Sequence, residues 1–265
     1  MKVYISADIE GIAGTVIWDD CSKGQNGYEA ARQQMTREVL AACEGAFAAG
    51  ADEILVKDAH GSGTNIDVYQ MPEKVKLIRK WSEHPYVMAE GIDETFDAAI
   101  FIGYHSAAGK EGNPLAHTLS KKPAYVKING EYASEFMIYS WAAAYEGVPT
   151  VFLAGDKMLC EDSASLHPCL ITEAVKEGNY AAAICKSPME VVKNIREGVE
   201  KALSQDLSNA LIELPPYFEV EIRYNEHIDS SRAAYYPGMK RKDAHTICYE
   251  TDNYFDVLTM LNFVL

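Results

Sequence analysis

Ser6-Ala7-Asp8-Ile9-Glu10-Gly11 decides how the rest of this chain is read. The apolar run just before it, Val3-Tyr4-Ile5, has the composition of the buried first strand of an α/β domain. At the end of such a strand a nucleotide-binding fold carries a glycine-rich turn whose amides cradle a pyrophosphate. Here Asp8 and Glu10 occupy that position and would repel an anion. The position suits a cation, and the residues further along suit a pair of metal ions.

Downstream of Gly11 a polar loop leads into Tyr28–Ala49, rich in Ala, Glu, Gln, Arg and Met and followed by Gly50, which reads as one long helix. Short strands are expected at 53–56, 75–78, 98–102, 125–128 and 150–153, with a helix at 134–145. This alternation implies crossover connections and an α/β fold: a mainly parallel sheet flanked by helices in three layers. Ser187-Pro188 opens a further helix, with Ser at the cap and Pro in the first turn. After Pro215-Pro216 the pattern changes. Phe218–Arg223 alternates with period two, Ala244–Tyr249 is a second candidate strand, and Tyr254–Leu265 is a closing apolar helix. We therefore expect a metal-binding α/β catalytic domain over 1–185 and a smaller α+β subdomain over 186–265.

Composition narrows the partners. With 39 acidic against 24 basic residues the net charge is −15, which argues against nucleic acid or an anionic membrane, since both reward clustered Lys and Arg. No run approaches the roughly 18 apolar residues of a membrane span, and Asp8 interrupts the N-terminal apolar stretch before a signal sequence could form. The six cysteines include no C-x-x-C pair and read as reduced thiols, so a cytoplasmic location is expected.

Ligands of open α/β sheets bind beyond the carboxyl ends of the strands. Asp8 and Glu10 follow the first expected strand, Asp58 and His60 the second, and His105 the fourth; Glu135 opens the helix at 134–145. Carboxylate together with imidazole suits zinc and its neighbours, whereas an all-oxygen set would suit magnesium or calcium. Two histidines and three acids exceed the roughly three protein ligands of one catalytic zinc. Shared between two metals about 3.5–4 Å apart, with one carboxylate bridging, the count becomes reasonable for a hydrolase that activates water.

The same residues resemble a known family. Ser6-Ala7-Asp8-Ile9-Glu10-Gly11 matches the S-x-D-x-E-G signature of the DppA-type zinc D-aminopeptidases. Lys57-Asp58-Ala59-His60, Gly103-Tyr104-His105, Ala116-His117-Thr118 and Ser134-Glu135 resemble its later blocks, in order and at similar intervals. The resemblance implies that Asp8 bridges two zinc ions, with Glu10 and His60 completing one site and His105 and Glu135 the other. It implies that His117 is the catalytic histidine, as nucleophile or acid–base group. It further implies removal of N-terminal D-amino acids, typically D-alanine, from short peptides or amides. The assembly implied is a ring-like homo-oligomer, such as a decameric ring, with the active sites facing an internal chamber.

Plainer readings stand beside these. Asp8 and Glu10 could cap the next segment, and Glu135 could be a first-turn glutamate favoured by the helix dipole. Asp58 either orients His60 as an outer partner or caps the turn. Gly61-Ser62-Gly63-Thr64 lacks the G-K-[ST] ending of a phosphate loop and reads as a turn. His84, His167, His227 and His245 follow none of the expected strands and read as surface or satisfied core residues. A dinuclear phosphoesterase using Asp58-Ala59-His60, or a non-catalytic peptide- or metal-binding protein on the same scaffold, are the alternatives in function.

Overall fold

The computed structural model describes residues 1–265. Its first strand, β1 (Lys2–Ala7), runs into a loop that contains the short helix α1 (Trp18–Cys21) and leads to α2 (Tyr28–Ala48). Next come β2 (Glu53–Asp58), β3 (Val75–Ile78), β4 (Ala98–Tyr104), the hairpin β5 (Pro123–Ile128) and β6 (Glu131–Tyr132), and α3 (Glu135–Tyr145). They are followed by β7 (Thr150–Asp156), α4 (Lys157–Leu166), the hairpin β8 (Ile171–Asn179) and β9 (Ala182–Cys185), and α5 (Pro188–Leu203). The tail holds β10 (Phe218–Tyr224), α6 (His227–Ala233), β11 (Lys240–Arg241), β12 (Thr246–Thr251) and α7 (Tyr254–Val264).

Seven strands form the main sheet in the order β3-β2-β1-β4-β7-β8-β9, parallel except for the edge strand β9. Five form a second, antiparallel sheet in the order β11-β12-β10-β5-β6. The strands β1, β4 and β7 are buried on both faces, as central parallel strands should be. Val3, Ile5 and Ala7 of β1 face the layer of α2 and α5, with Met35, Val39 and Val199. Tyr4 points the other way, into a core shared with Phe101, Phe136, Ile222, Tyr254 and Leu258. There α3 lies on β4 and β7 and touches α7, which lies on β10 and β12. The α/β fold expected from the alternation is present.

Several element boundaries differ from the sequence expectation, and each difference has a reason. The strand at 53–56 continues to Asp58, that at 98–102 to Tyr104 and that at 150–153 to Asp156, because each keeps pairing with a neighbour: Asp58 with Ala7, Tyr104 with Gly155 and Asp156 with Lys176. No element was expected between 157 and 185, where α4, β8 and β9 stand. The sheets also do not divide the chain at 185/186. The helix α5 packs on α2 beside the main sheet, while β5 from upstream inserts beside β10 in the second sheet. Pairing of strands so far apart in sequence leaves no local trace. No helix is long and apolar enough to cross a membrane.

Candidate metal centre

The loop after β1 reaches the end of β4 because two glycines let the backbones touch. The Asp8 amide donates to the Ile102 carbonyl at 2.8 Å, and the Gly11 amide to that of Gly103 at 2.7 Å. A Cβ on Gly11 would stand 1.8 Å from the Tyr104 carbonyl oxygen, and one on Gly103 (φ +73°) 2.3 Å from that of Asp8. Behind the loop the Ser6 hydroxyl is buried, donating to the Met88 carbonyl and sharing a 2.7 Å hydrogen bond with the Tyr104 hydroxyl. The serine and glycine of the opening hexapeptide are thus packing residues. Its acids are the ones turned to the rim.

Asp8, Glu10, His60, His105, His117 and Glu135 all converge there. Asp8 stands between two groups. Its Oδ1 is 3.2 Å from His60 Nδ1, which is also 3.0 Å from Glu10 Oε2. Its Oδ2 is 3.4 Å from His105 Nε2, which is 3.3 Å from Glu135 Oε2. His117 stacks on His105 with ring centres 4.4 Å apart, and its Nε2 is 3.7 Å from Glu135 Oε1. The donor atoms of Asp8, Glu10 and His105 lie within 4.8 Å of one another, as do those of His105, His117 and Glu135. His117 is therefore within reach of the same centre as the candidate ligands, beside them in the geometry.

Each imidazole has one nitrogen on a main-chain carbonyl: His60 Nε2 on Cys21 (2.8 Å), His105 Nδ1 on Ser106 (3.0 Å) and His117 Nδ1 on Leu115 (2.9 Å). That bond places the proton of the neutral ring on the outer nitrogen and leaves a lone pair aimed at carboxylates. Lone pair against carboxylate is repulsive unless a proton or a cation lies between. The Oδ2 of Asp8, the Oε2 of Glu10 and the Nε2 of His105 are buried with no hydrogen-bond partner, an arrangement that otherwise costs several kcal/mol per charge. The mixed carboxylate and imidazole set, each ring anchored from behind, fits divalent metal of the zinc type.

Without a cation the histidines must serve as counter-charges. Burial alone would lower His105, but Glu135 and Asp8 outweigh it and push the ring up to about 10. His60 is raised as well, Glu10 and Asp8 overcoming burial. Burial and the charge of Glu10 raise Asp8. Burial would also raise Glu135, but the charges of His105 and His117 hold it below its usual value. A histidine raised above 6.5 stabilises the fold fully below that pH, and the contribution is lost as pH climbs towards about 10. Zinc competes for the same nitrogens. The rise in Tm on adding zinc to chelator-treated protein should therefore grow between pH 6.5 and about pH 8.5. Thermal scans at both pH values check this, and a zinc effect that shrinks with pH contradicts it.

Asp58 does not touch the His60 ring. Its carboxylate accepts from the amides of Asn65 (2.6 Å) and Ile66 (2.8 Å) and from the Asn65 side chain (2.8 Å), which also donates to the His60 carbonyl. It shapes the loop that presents His60, and the D-x-H ligation of a phosphoesterase has no counterpart. The other histidines, His84, His167, His227 and His245, do not enter the centre. At Glu135 the helix cap is Ser134, whose Oγ accepts from the Met137 amide at 3.0 Å. The Leu119 amide donates to Glu135 Oε1 at 2.7 Å from a backbone with φ +61°, a left-handed conformation that costs a non-glycine residue about 1–2 kcal/mol.

Three supporting residues were not foreseen. Asp156 accepts from the amide and hydroxyl of Ser106 (both 2.6 Å), fixing the carbonyl that orients His105. It would have been found by the strand-end argument had β7 been read to its true end. Lys176, almost fully buried on β8, donates to the carbonyls of Glu10, Ile12 and Thr15 and so pins the acidic loop. Asn113 donates to the Glu10 carbonyl (3.1 Å) and accepts from the Leu115 amide (2.9 Å), tying the His117 loop to the first strand. Lysine in the middle of a mixed segment carries no sequence signal of this use.

An acidic and histidine-rich rim at the carboxyl edge of an α/β sheet defines a metal-dependent hydrolase. The family model described as D-aminopeptidase matches residues 1–263, and the chain belongs to that family. The D-aminopeptidase of Bacillus subtilis (strain 168) is 30% identical over 247 residues, covering 93% of this chain and 89% of the relative. A solved structure is described as "Zn-dependent D-aminopeptidase DppA from Bacillus subtilis, a self-compartmentalizing protease". It matches with a TM-score of 0.92 and 27% identity, over 100% of this chain and 96% of that one.

Proposed function

We propose that this chain is a dinuclear zinc aminopeptidase that removes an N-terminal D-amino acid, D-alanine in the first instance, from short peptides. One observation carries the reading: the two oxygens of Asp8 face opposite imidazole–glutamate groups, His60 with Glu10 and His105 with Glu135. In this reading Asp8 bridges, and each group completes one site. Bound zinc would supply Lewis acidity, polarising the scissile carbonyl and the attacking water.

The remaining work falls to the protein. Burial holds His117 below its ordinary value, which favours the neutral ring. With its proton on the nitrogen facing Leu115, the ring presents a free Nε2 to the centre. That atom can take a proton from water and return it to the leaving amine. We assign His117 this acid–base role. Asp58 is assigned to the His60 loop and Asp156 to the orientation of His105. We also propose a homo-oligomer, with a decameric ring as the form suggested by the family, and a cytoplasmic setting, in keeping with six unpaired cysteines.

The experiment is release of D-alanine from D-Ala-D-Ala, with L-Ala-L-Ala as control and light scattering on the same sample for the assembly. Zinc-dependent turnover of the D-substrate alone supports the proposal. Equal or faster turnover of the L-substrate overturns its stereochemical part.

A further inference from the structure

Beside the centre stands a cation that the reaction scheme above does not use. Lys121 lies two residues beyond Leu119, whose amide holds Glu135. Its Nζ sits over the Trp18 ring, 4.3 Å from the ring centre. Trp18 in turn meets His117 edge-on, with ring centres 5.3 Å apart and planes at 72°. No carboxylate lies within 4.0 Å of this ammonium, although the chain carries 39 acids. The seat over an aromatic face restrains a long side chain without neutralising it. What results is a positioned, unpaired positive charge one ring away from the candidate acid–base histidine.

The setting gives that charge a use. In the reading above, a peptide whose N-terminal residue lies at the centre carries its C-terminal carboxylate away from it, where a cation standing clear of the centre can receive it. Lys121 Nζ is at most about 10 Å from the His117 ring through the two ring contacts, close to the 7–10 Å span of a two- or three-residue peptide. A longer chain would carry its carboxylate past this point.

We propose that Lys121, seated on Trp18, binds the C-terminal carboxylate of the substrate, so that the enzyme prefers free di- and tripeptides over neutral amides and longer chains. The proposal rests on the aminopeptidase reading and adds the determinant of substrate length to it. The ammonium is a point charge, so an arginine at the same place retains the attraction while a neutral side chain loses it.

The test compares kcat and KM for D-Ala-D-Ala and for D-alanine amide, which has no carboxylate, in the wild-type holoenzyme and in K121Q and K121R. For K121Q the expected result is a rise in KM for D-Ala-D-Ala of about tenfold with kcat little changed. The ratio of kcat/KM between dipeptide and amide then falls by the same factor, and K121R recovers most of it. Equal losses on both substrates, or no loss on the dipeptide, overturn the carboxylate role while leaving the aminopeptidase standing. Wild-type enzyme that turns over neither substrate overturns the aminopeptidase reading and this proposal together.

Discussion

Asp8→Asn should abolish zinc binding and activity together, lowering kcat/KM by on the order of a thousandfold or more, the equivalent of several kcal/mol of lost stabilisation of the transition state. The reason is positional. One oxygen of Asp8 belongs with His60 and Glu10, the other with His105 and Glu135. An asparagine keeps the shape but replaces one of these oxygens by an NH2 group, which has no lone pair for a cation, and removes the charge from between the two halves. Loss at any other ligand touches one half only. Metal content by elemental analysis, read beside turnover, separates the cases: a dead variant that retains its full zinc would contradict the bridging role. Folding should survive, since removing one buried carboxylate relieves part of the repulsion with Glu10 that raises Asp8.

The second large effect is expected at a backbone contact directly behind the centre. Gly103→Ala should destabilise the protein by roughly 3 kcal/mol or more, combining about 1–2 kcal/mol for a left-handed alanine with overpacking of about 1–3 kcal/mol. The new methyl would lie 2.3 Å from the Asp8 carbonyl oxygen and 2.7 Å from the Ile12 side chain. Neither can retreat freely: Asp8 is bonded to Ile102 and Ile12 is pinned by Lys176. In a chain of this size the Tm should drop by roughly 6–12 °C. Because the displaced segment carries Asp8 and Glu10, zinc affinity should fall with it. Calorimetry and a chelator competition measure both, and an alanine variant that melts and binds zinc like the wild type would show that the loop is not held by this contact.

These two residues also mark what was legible in the sequence. The acid pair and glycine after an apolar run could be read directly, because a strand end is where α/β sheets keep their chemistry. His60 and His105 followed from the same argument applied to β2 and β4, and the structure brings them within reach of Asp8. Glu135 and His117 had no such local sign. Glu135 opens a helix, where glutamate is ordinary, so its place among the candidates depended on that helix starting at the same edge; His117 lies in an irregular segment and was reached only through the family resemblance. Asp58 was visible, but its partners, the amides of Asn65 and Ile66, depend on how the loop folds back.

What escaped did so for physical reasons. A strand that mixes Thr, Glu and Lys, as β8 does, shows no clean period, and its Lys176 looks like a surface residue until the loop it pins is in place. The second sheet takes β5 from the middle of the chain and β10 and β12 from its end. Alternation along β10 signals one buried face without saying which strand lies beside it. The Trp18–His117–Lys121 stack joins residues about a hundred positions apart, whose types give no warning of it.

The central claim is that one carboxylate, Asp8, lies between two metal ions. Anomalous diffraction at the zinc absorption edge from crystals of the purified protein tests it most directly. The account predicts two zinc peaks about 3.5–4 Å apart, one on each side of Asp8, the first beside His60 and Glu10 and the second beside His105 and Glu135. A single peak in active protein, or a pair that Asp8 does not touch, would contradict it.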